Sequence, residues 1–307
     1  MIVKSRKQRS GMVRQRNLST RLAPVVFLGP AILLLILISV IPLVYSLYLS
    51  TQNYNLSMPN RPMKFIGLEN YRVMLLKPEF RESLGWTLIF SAVSVVVETV
   101  LGLGIALMLH SDSTKRYSAP FKTIMIIPMM IAPVVSATIW KLMYYPVYGV
   151  LNNALAMLGI TGPNWLGETF YAKIAIIIVE IWGATPFCIL VYQAALNTVS
   201  TEMIEAARVD GASAGRVFFS ITLPSIRNFI ALVVSIRIAD SLRIFDIVMQ
   251  LTNGTPGSTT ETIGTTIYKA AFRYYQVGQG SAGAFLFFIV ISIVSLVSMM
   301  LMRRRED

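Results

Sequence analysis

Four charged residues stand three apart within one apolar stretch late in the chain: Arg237, Asp240, Arg243 and Asp246. Positions three apart are neighbours on a helix, so each acid can pair with a base without leaving its own helix. At 3.6 residues per turn the positions drift by about 60° per step, which makes a slanted strip rather than a line. Charges inside an apolar span are costly and mark either function or a buried pairing. Glu98 and Glu180, isolated acids in two other apolar stretches, can complete such a pairing with Arg237 or Arg243, or line a polar path beside them. Two readings therefore stand: a wall of a water-filled path that touches a polar solute, and a lock between helices. Two bases against two acids leave no excess of one sign, which argues against a voltage-sensing channel.

Other chemistry is excluded. With one histidine, His110, no H-E-x-x-H motif is possible, with one cysteine, Cys188, no disulfide can form within the chain, and no metal cluster is expected. His110 reads as an interfacial residue and Cys188 as a small buried hydrophobe. The sequence has no G-x-x-x-x-G-K-S/T phosphate cradle. Gly278-Gln279-Gly280-Ser281-Ala282-Gly283 misses the serine-elbow pattern because Gln279 holds the place of the first glycine. No catalytic site is expected.

The elements that must position these residues are membrane helices. Of the 307 residues, 55% are hydrophobic and only 14% charged, where soluble domains carry about 25%. Six runs approach the ~20 residues that a bilayer demands of a helix: 23–49, 86–109, 123–144, 174–196, 229–251 and 284–301. The fold class is all-α and polytopic, with a basic tail over 1–22, a six-span domain over 23–302 and a short tail over 303–307. The first run is too long for the apolar core of a signal peptide and reads as an uncleaved span. Orientation follows from Lys and Arg. With the N-terminus in the cytoplasm, the inner segments hold sixteen basic residues and the outer ones eight, Lys269 among them. The net charge of +12 is thus explained by topology, and no nucleic-acid partner is expected. Trp140, Tyr144, Tyr145 and Tyr148 suit an interfacial belt, with Lys141 snorkelling beside them. Pro30, Pro42, Pro128, Pro133 and Pro186 read as kinks within spans.

The inner loop 197–228 carries the densest pattern. It reads as a short helix, a break at Gly211 and a second short helix stopped by Pro224. Val217, Phe218, Ile221 and Leu223 offer an apolar face with no span to bury it, rimmed by Glu205, Asp210 and Arg216. Helices that lie on lipid favour bases on their polar face. This one mixes acids and bases and suits a groove on a protein partner.

Residues 205–224 resemble the EAA loop of ABC-importer permeases, E-A-A-x-x-D-G-A-x-x-x-x-x-F-x-x-I-x-L-P. Every specified position matches: Glu205, Ala206, Ala207, Asp210, Gly211, Ala212, Phe218, Ile221, Leu223 and Pro224. Weaker elements agree with carbohydrate-type permeases. Phe65, Gly67, Leu68, Asn70 and Tyr71 are similar to F-x-G-L-x-N-Y. Trp140, Gly149, Leu151, Asn152 and Leu155 are similar to W-…-G-x-L-N-…-L. Phe245 and Asp246 with Leu251, Thr252, Gly254 and Pro256 are similar to F-D-…-L-T-x-G-G-P, with Thr255 in place of the second glycine. The chain as a whole resembles the maltose-permease type of sugar-importer subunit.

The resemblance implies the type I ABC importer fold and a set of partners. These are a second homologous permease, a cytoplasmic ATPase dimer, an extracytoplasmic solute-binding protein and membrane lipid. It also implies that the loop is a coupling helix seated on the ATPase, and that ATP and Mg2+ belong to that partner, with no cofactor in this chain. The fifth span is then expected beside the path of a sugar or sugar derivative, in a bacterial inner membrane with both termini cytoplasmic. An importer of another solute class is the alternative that the loop alone leaves open.

Overall fold

A computed structural model describes residues 18–58, 60, 62–110 and 118–303. The basic stretch 1–17, the loop with Lys115 and Arg116, and the tail 304–307 lie outside the described residues.

The chain divides into two units. The first, ending at Leu49, is an apolar helix formed by α1 (Leu18–Leu35), a wide π-type turn over Ile36–Val40 and the start of α2 (Ile41–Ser50). From Phe27 onward most of its side chains, such as Phe27, Ile38 and Val44, are exposed. That is the pattern of a helix whose solvent is lipid rather than water.

The second unit holds α3 (Glu69–Leu76), α4 (Pro78–His110), α5 (Ser118–Met130), α6 (Pro133–Met143) and α7 (Val150–Met157), followed by α8 (Thr169–Leu196), α9 (Thr201–Val209) and α10 (Ala214–Val217). It is completed by α11 (Leu223–Leu242), α12 (Asp246–Leu251), α13 (Ile263–Tyr268) and α14 (Val277–Arg303). Among the described residues, five helices are long and apolar enough to cross a bilayer: Phe27–Ser50, Pro78–His110, Thr169–Leu196, Ala214–Leu242 and Val277–Ser298. The third expected span makes six only as a bent pair, Pro120–Met130 with Pro133–Met143, broken by 99°.

That break goes beyond the kink expected at Pro133 and divides the single span expected over 123–144 into two helices. Pro133 lacks an N–H and pushes the residue before it out of the helical region. Ala132 accordingly sits at φ −58°, ψ 139°, and Pro133 opens a new helix at its first turn.

The fifth span also differs from expectation at both ends. It begins at Ala214, inside the inner loop, and ends at Leu242. Arg243 is its C-cap, and the chain turns before α12 begins at Asp246.

Helices α4 and α8 run parallel, and α11 runs antiparallel to them. One apolar cluster joins Phe90, Tyr144, Ile176 and Val248; another joins Ala106, Cys188, Tyr192, Ile226 and Val233. Small residues let the backbones close up, as membrane helix pairs require. At Gly102 of α4, an added Cβ would lie 2.5 Å from Cβ of Cys188 on α8.

The aromatic belt is only half present. Tyr145 and Tyr148 are exposed and stack at 5.9 Å. Tyr144, by contrast, is fully buried, packs between Trp140 and Trp165, and donates its hydroxyl to the Ala175 carbonyl at 3.2 Å. Lys141 does not merely snorkel: its Nζ donates to the Gln250 carbonyl in the last turn of α12, at 3.0 Å. A cation there complements the negative end of that helix.

Candidate functional site

Arg237, on α11, is the centre of a buried ion network. Its Nε donates to Glu98 Oε2 at 2.8 Å, and one terminal nitrogen reaches Glu180 Oε1 at 2.7 Å. The other terminal nitrogen lies 3.6 Å from Asp240 Oδ2. Glu98 comes from α4 and is completely buried, while Glu180 comes from α8 with 13% of its side chain exposed. Asp240 is exposed and held again by Arg243, whose Nη2 donates to Oδ1 at 2.8 Å. The Arg243 Nε donates to the Ala239 carbonyl at 2.9 Å, tying off the end of α11. A lone charge would be prohibitive at these depths; paired and hydrogen-bonded charges are tolerable.

The structure thus joins five of the six expected polar residues. Asp246 is the exception. It starts α12 after the break at 243–245, is exposed, and places its carboxylate at that helix's positive end. The strip of four therefore ends at Arg243.

Beside the network is a cavity of about 330 Å³. Glu180, Arg237, Asp240 and Ser136 supply its polar wall, and Pro128, Met129, Phe187 and Ile247 part of its apolar wall. Because Pro128, Ile131 and Pro133 line it, the cavity owes its shape to the break between α5 and α6. Irregular backbone at membrane depth is tolerated where it lines such a space.

The 205–224 hairpin is built as its residue types require at the first turn and departs from expectation at the second. Ser200 caps α9, its Oγ accepting from the Met203 N–H at 3.4 Å. At the other end, the Ala212 N–H donates to Ala207 O at 2.9 Å and the Gly211 N–H to Arg208 O at 3.0 Å. These two bonds form the Schellman closure, which needs a left-handed residue at Gly211, here with φ +77°. Ser213 then caps the next helix.

Pro224 does not stop that helix. The Leu223 N–H donates to Phe218 O, five residues back, in a π-type turn over Phe218–Thr222. That wide turn precedes the proline's missing donor, and the helix continues to Leu242.

The expected apolar face is also covered. Val217 is buried, Phe218, Ile221 and Leu223 are half-buried, and Ile221 packs against the cluster holding Ala106, Tyr192 and Ile226. Met203, Val209 and Phe219 are the apolar residues left exposed on the hairpin, beside exposed Glu205, Ala206, Asp210, Gly211 and Pro224, with Ala207 and Ala212 half-buried.

The other motifs pin loops. Asn70 Nδ2 donates to Ser50 O and Gln52 O, both at 2.8 Å, and the Tyr71 hydroxyl meets Ser50 Oγ at 2.7 Å. Asn152 Oδ1 accepts from Trp165 Nε1 at 2.7 Å, while its Nδ2 donates to the Pro146 and Pro163 carbonyls.

One pair escaped sequence reasoning. Lys269, expected among solvated outer charges, is buried; its Nζ lies 2.6 Å from Glu261 Oε1 and 2.7 Å from Asn253 O. Their eight-residue separation spans a turn and a helix start, so no helical period announces the contact.

The chain belongs to the family of binding-protein-dependent transport system inner membrane components, which it matches over residues 98–306. It is a permease subunit of an ABC importer, multi-pass in the inner membrane, and not an enzyme. It is similar to the trehalose/maltose transport system permease protein of Thermococcus litoralis, 36% identical over 281 residues, or 91% of this chain and 92% of that one. The sulfoquinovosyl glycerol transport system permease protein of Agrobacterium fabrum is 32% identical, covering 100% of this chain and 98% of its own. Among solved structures, a bacterial ABC transporter involved in the import of the acidic polysaccharide alginate matches with a TM-score of 0.81. That match has 24% identity and covers 93% of this chain and 97% of the other. The shared fold is that of type I importer permeases.

Proposed function

We propose that this permease carries a sugar or sugar derivative, enclosing the path together with a second, homologous permease. Both termini then lie in the cytoplasm, and an extracytoplasmic solute-binding protein delivers the solute. A cytoplasmic ATPase dimer, which binds the ATP and Mg2+, holds the 197–228 hairpin in a cleft. The names of the two curated relatives support the sugar class.

One observation carries the coupling role: a 29-residue helix, Ala214–Leu242, runs without a break from the hairpin to the ion network. At 1.5 Å per residue, Arg237 lies about 35 Å along that rod from Ala214. A displacement of the hairpin by the ATPase is therefore delivered to the wall of the cavity. Coupling requires the hairpin to make different contacts with the two ATPase states. The exposed trio Met203, Val209 and Phe219 and the charges Glu205 and Asp210 form the contact surface in this reading. Asp240, Arg237 and Glu180 face the solute, with Glu98 holding Arg237 from behind.

The test is a cysteine cross-link. In a Cys188→Ala background, Val209→Cys is expected to cross-link to the co-expressed ATPase, at a yield that changes when ATP is trapped. A fully transporting complex in which Val209→Cys never cross-links to the ATPase would defeat the assignment.

A further inference from the structure

The ion network has a polarity that bears on which solutes pass. Arg237 is the cation on the cavity wall, and each of its three nitrogens is turned to a carboxylate. Its Nε and one terminal nitrogen go to Glu98 and Glu180, and the remaining nitrogen faces Asp240. Arg243 is not on the wall; its Nη2 donates to Asp240 and its Nε to the Ala239 carbonyl. Two guanidinium groups thus face three carboxylates. An acidic solute is normally received by a free guanidinium edge in a two-point fork. On the cavity wall the Arg237 nitrogens already face Glu98, Glu180 and Asp240, so an anion entering there meets carboxylates beside the guanidinium.

Ionised carboxylates are acceptors only, which suits solute groups that donate, and hydroxyls donate. Phe187, Met129 and Pro128 add an apolar lining for the C–H faces of a ring. Low-dielectric walls focus the field of the surplus acid into the cavity rather than spreading it.

We infer that the half of the path formed by this chain selects by charge: it passes uncharged, hydroxyl-rich solutes and rejects acidic ones, with Glu180 and Asp240 as the residues that decide. This rests on the cavity being part of the solute path.

The field can be read without knowing the sugar. In the assembled transporter with Cys188→Ala, a reporter thiol is placed at Ile236→Cys, which lines the cavity and is 39% exposed. A second reporter, Gly183→Cys, also lines the cavity, where an added Cβ meets nothing within 4 Å. Each is modified with cationic trimethylammonioethyl methanethiosulfonate and with anionic sulfonatoethyl methanethiosulfonate. Rates are divided by those of free β-mercaptoethanol, so that any effect on the thiol itself cancels in the ratio. The cationic reagent is expected to react about fivefold faster, and Asp240→Asn to reduce that preference about twofold, as removal of one nearby charge should. Equal rates, or a faster anionic reagent, would overturn the inference while leaving the path intact. Failure of both reagents at both positions would show that water does not reach the cavity, and would overturn the path reading itself.

Discussion

Arg237 and Glu98 meet across the interface of α11 and α4 at 2.8 Å, with the carboxylate completely buried. The pair fixes the height at which the rod from the hairpin sits against its neighbour. Ser241 on α11, meeting Ser91 on α4 at 2.5 Å, repeats the contact one turn further on.

Removing one partner should therefore cost more than removing both. Arg237→Gln leaves Glu98 and Glu180 without their cation, a loss of about 3 kcal/mol for a broken buried pair. The thermal midpoint of the purified complex should fall. The double variant Glu98→Gln with Arg237→Gln should regain at least half of that loss. A double variant no better than the single one would mean that the pair does not stabilise the interface.

At Gly211 the strain is purely local, since φ is +77° and an added Cβ meets no atom within 4 Å. Gly211→Val should cost the hairpin turn about 1–2 kcal/mol, whereas Gly211→Asn, which tolerates the left-handed region, should cost much less. Membrane insertion should be normal for both. Solute uptake per transporter should drop sharply for valine and stay near wild type for asparagine; normal uptake by the valine variant would count against a coupling role.

The close approach at Gly102 makes a different prediction. Gly102→Ala overpacks the α4–α8 contact at a cost of about 1–3 kcal/mol. Adding Cys188→Gly removes the atom that the new methyl meets. It should restore part of the lost thermal stability, measured on the detergent-solubilised protein.

The Lys269–Glu261 pair should behave as a buried clasp. Lys269→Met strands Glu261 and should cost about 3–5 kcal/mol. Gly254→Ala should act similarly, because at φ +90° its Cβ would lie 2.5 Å from Glu261 Cγ and 2.9 Å from Lys269 Nζ. Limited proteolysis between α12 and α13 should accelerate in both. Unchanged cleavage in Lys269→Met would show the clasp to be dispensable.

Much of this protein is written in composition and local chemistry. Long apolar runs must be helices in lipid, because no water is there to satisfy an exposed backbone. The Gly211 turn is legible because only a residue free to take positive φ closes a helix in that way. The cost of isolated charges in apolar spans marks Glu98, Glu180, Arg237 and Asp240 as partners.

Tertiary structure decided what depends on atoms far apart in the chain. Pairing Arg237 with Glu98 and Glu180, rather than with its own helix alone, needed three helices brought to one depth. Asp246 left the strip because the backbone turned after Leu242, a break that a three-residue spacing does not register. The apolar side of the hairpin proved to be partly covered because α4 and α8 end beside it, while Val209 and Phe219 were left outside. Spacing along one helix gives each residue its face; only packing decides whether that face meets protein, lipid, water or a cavity.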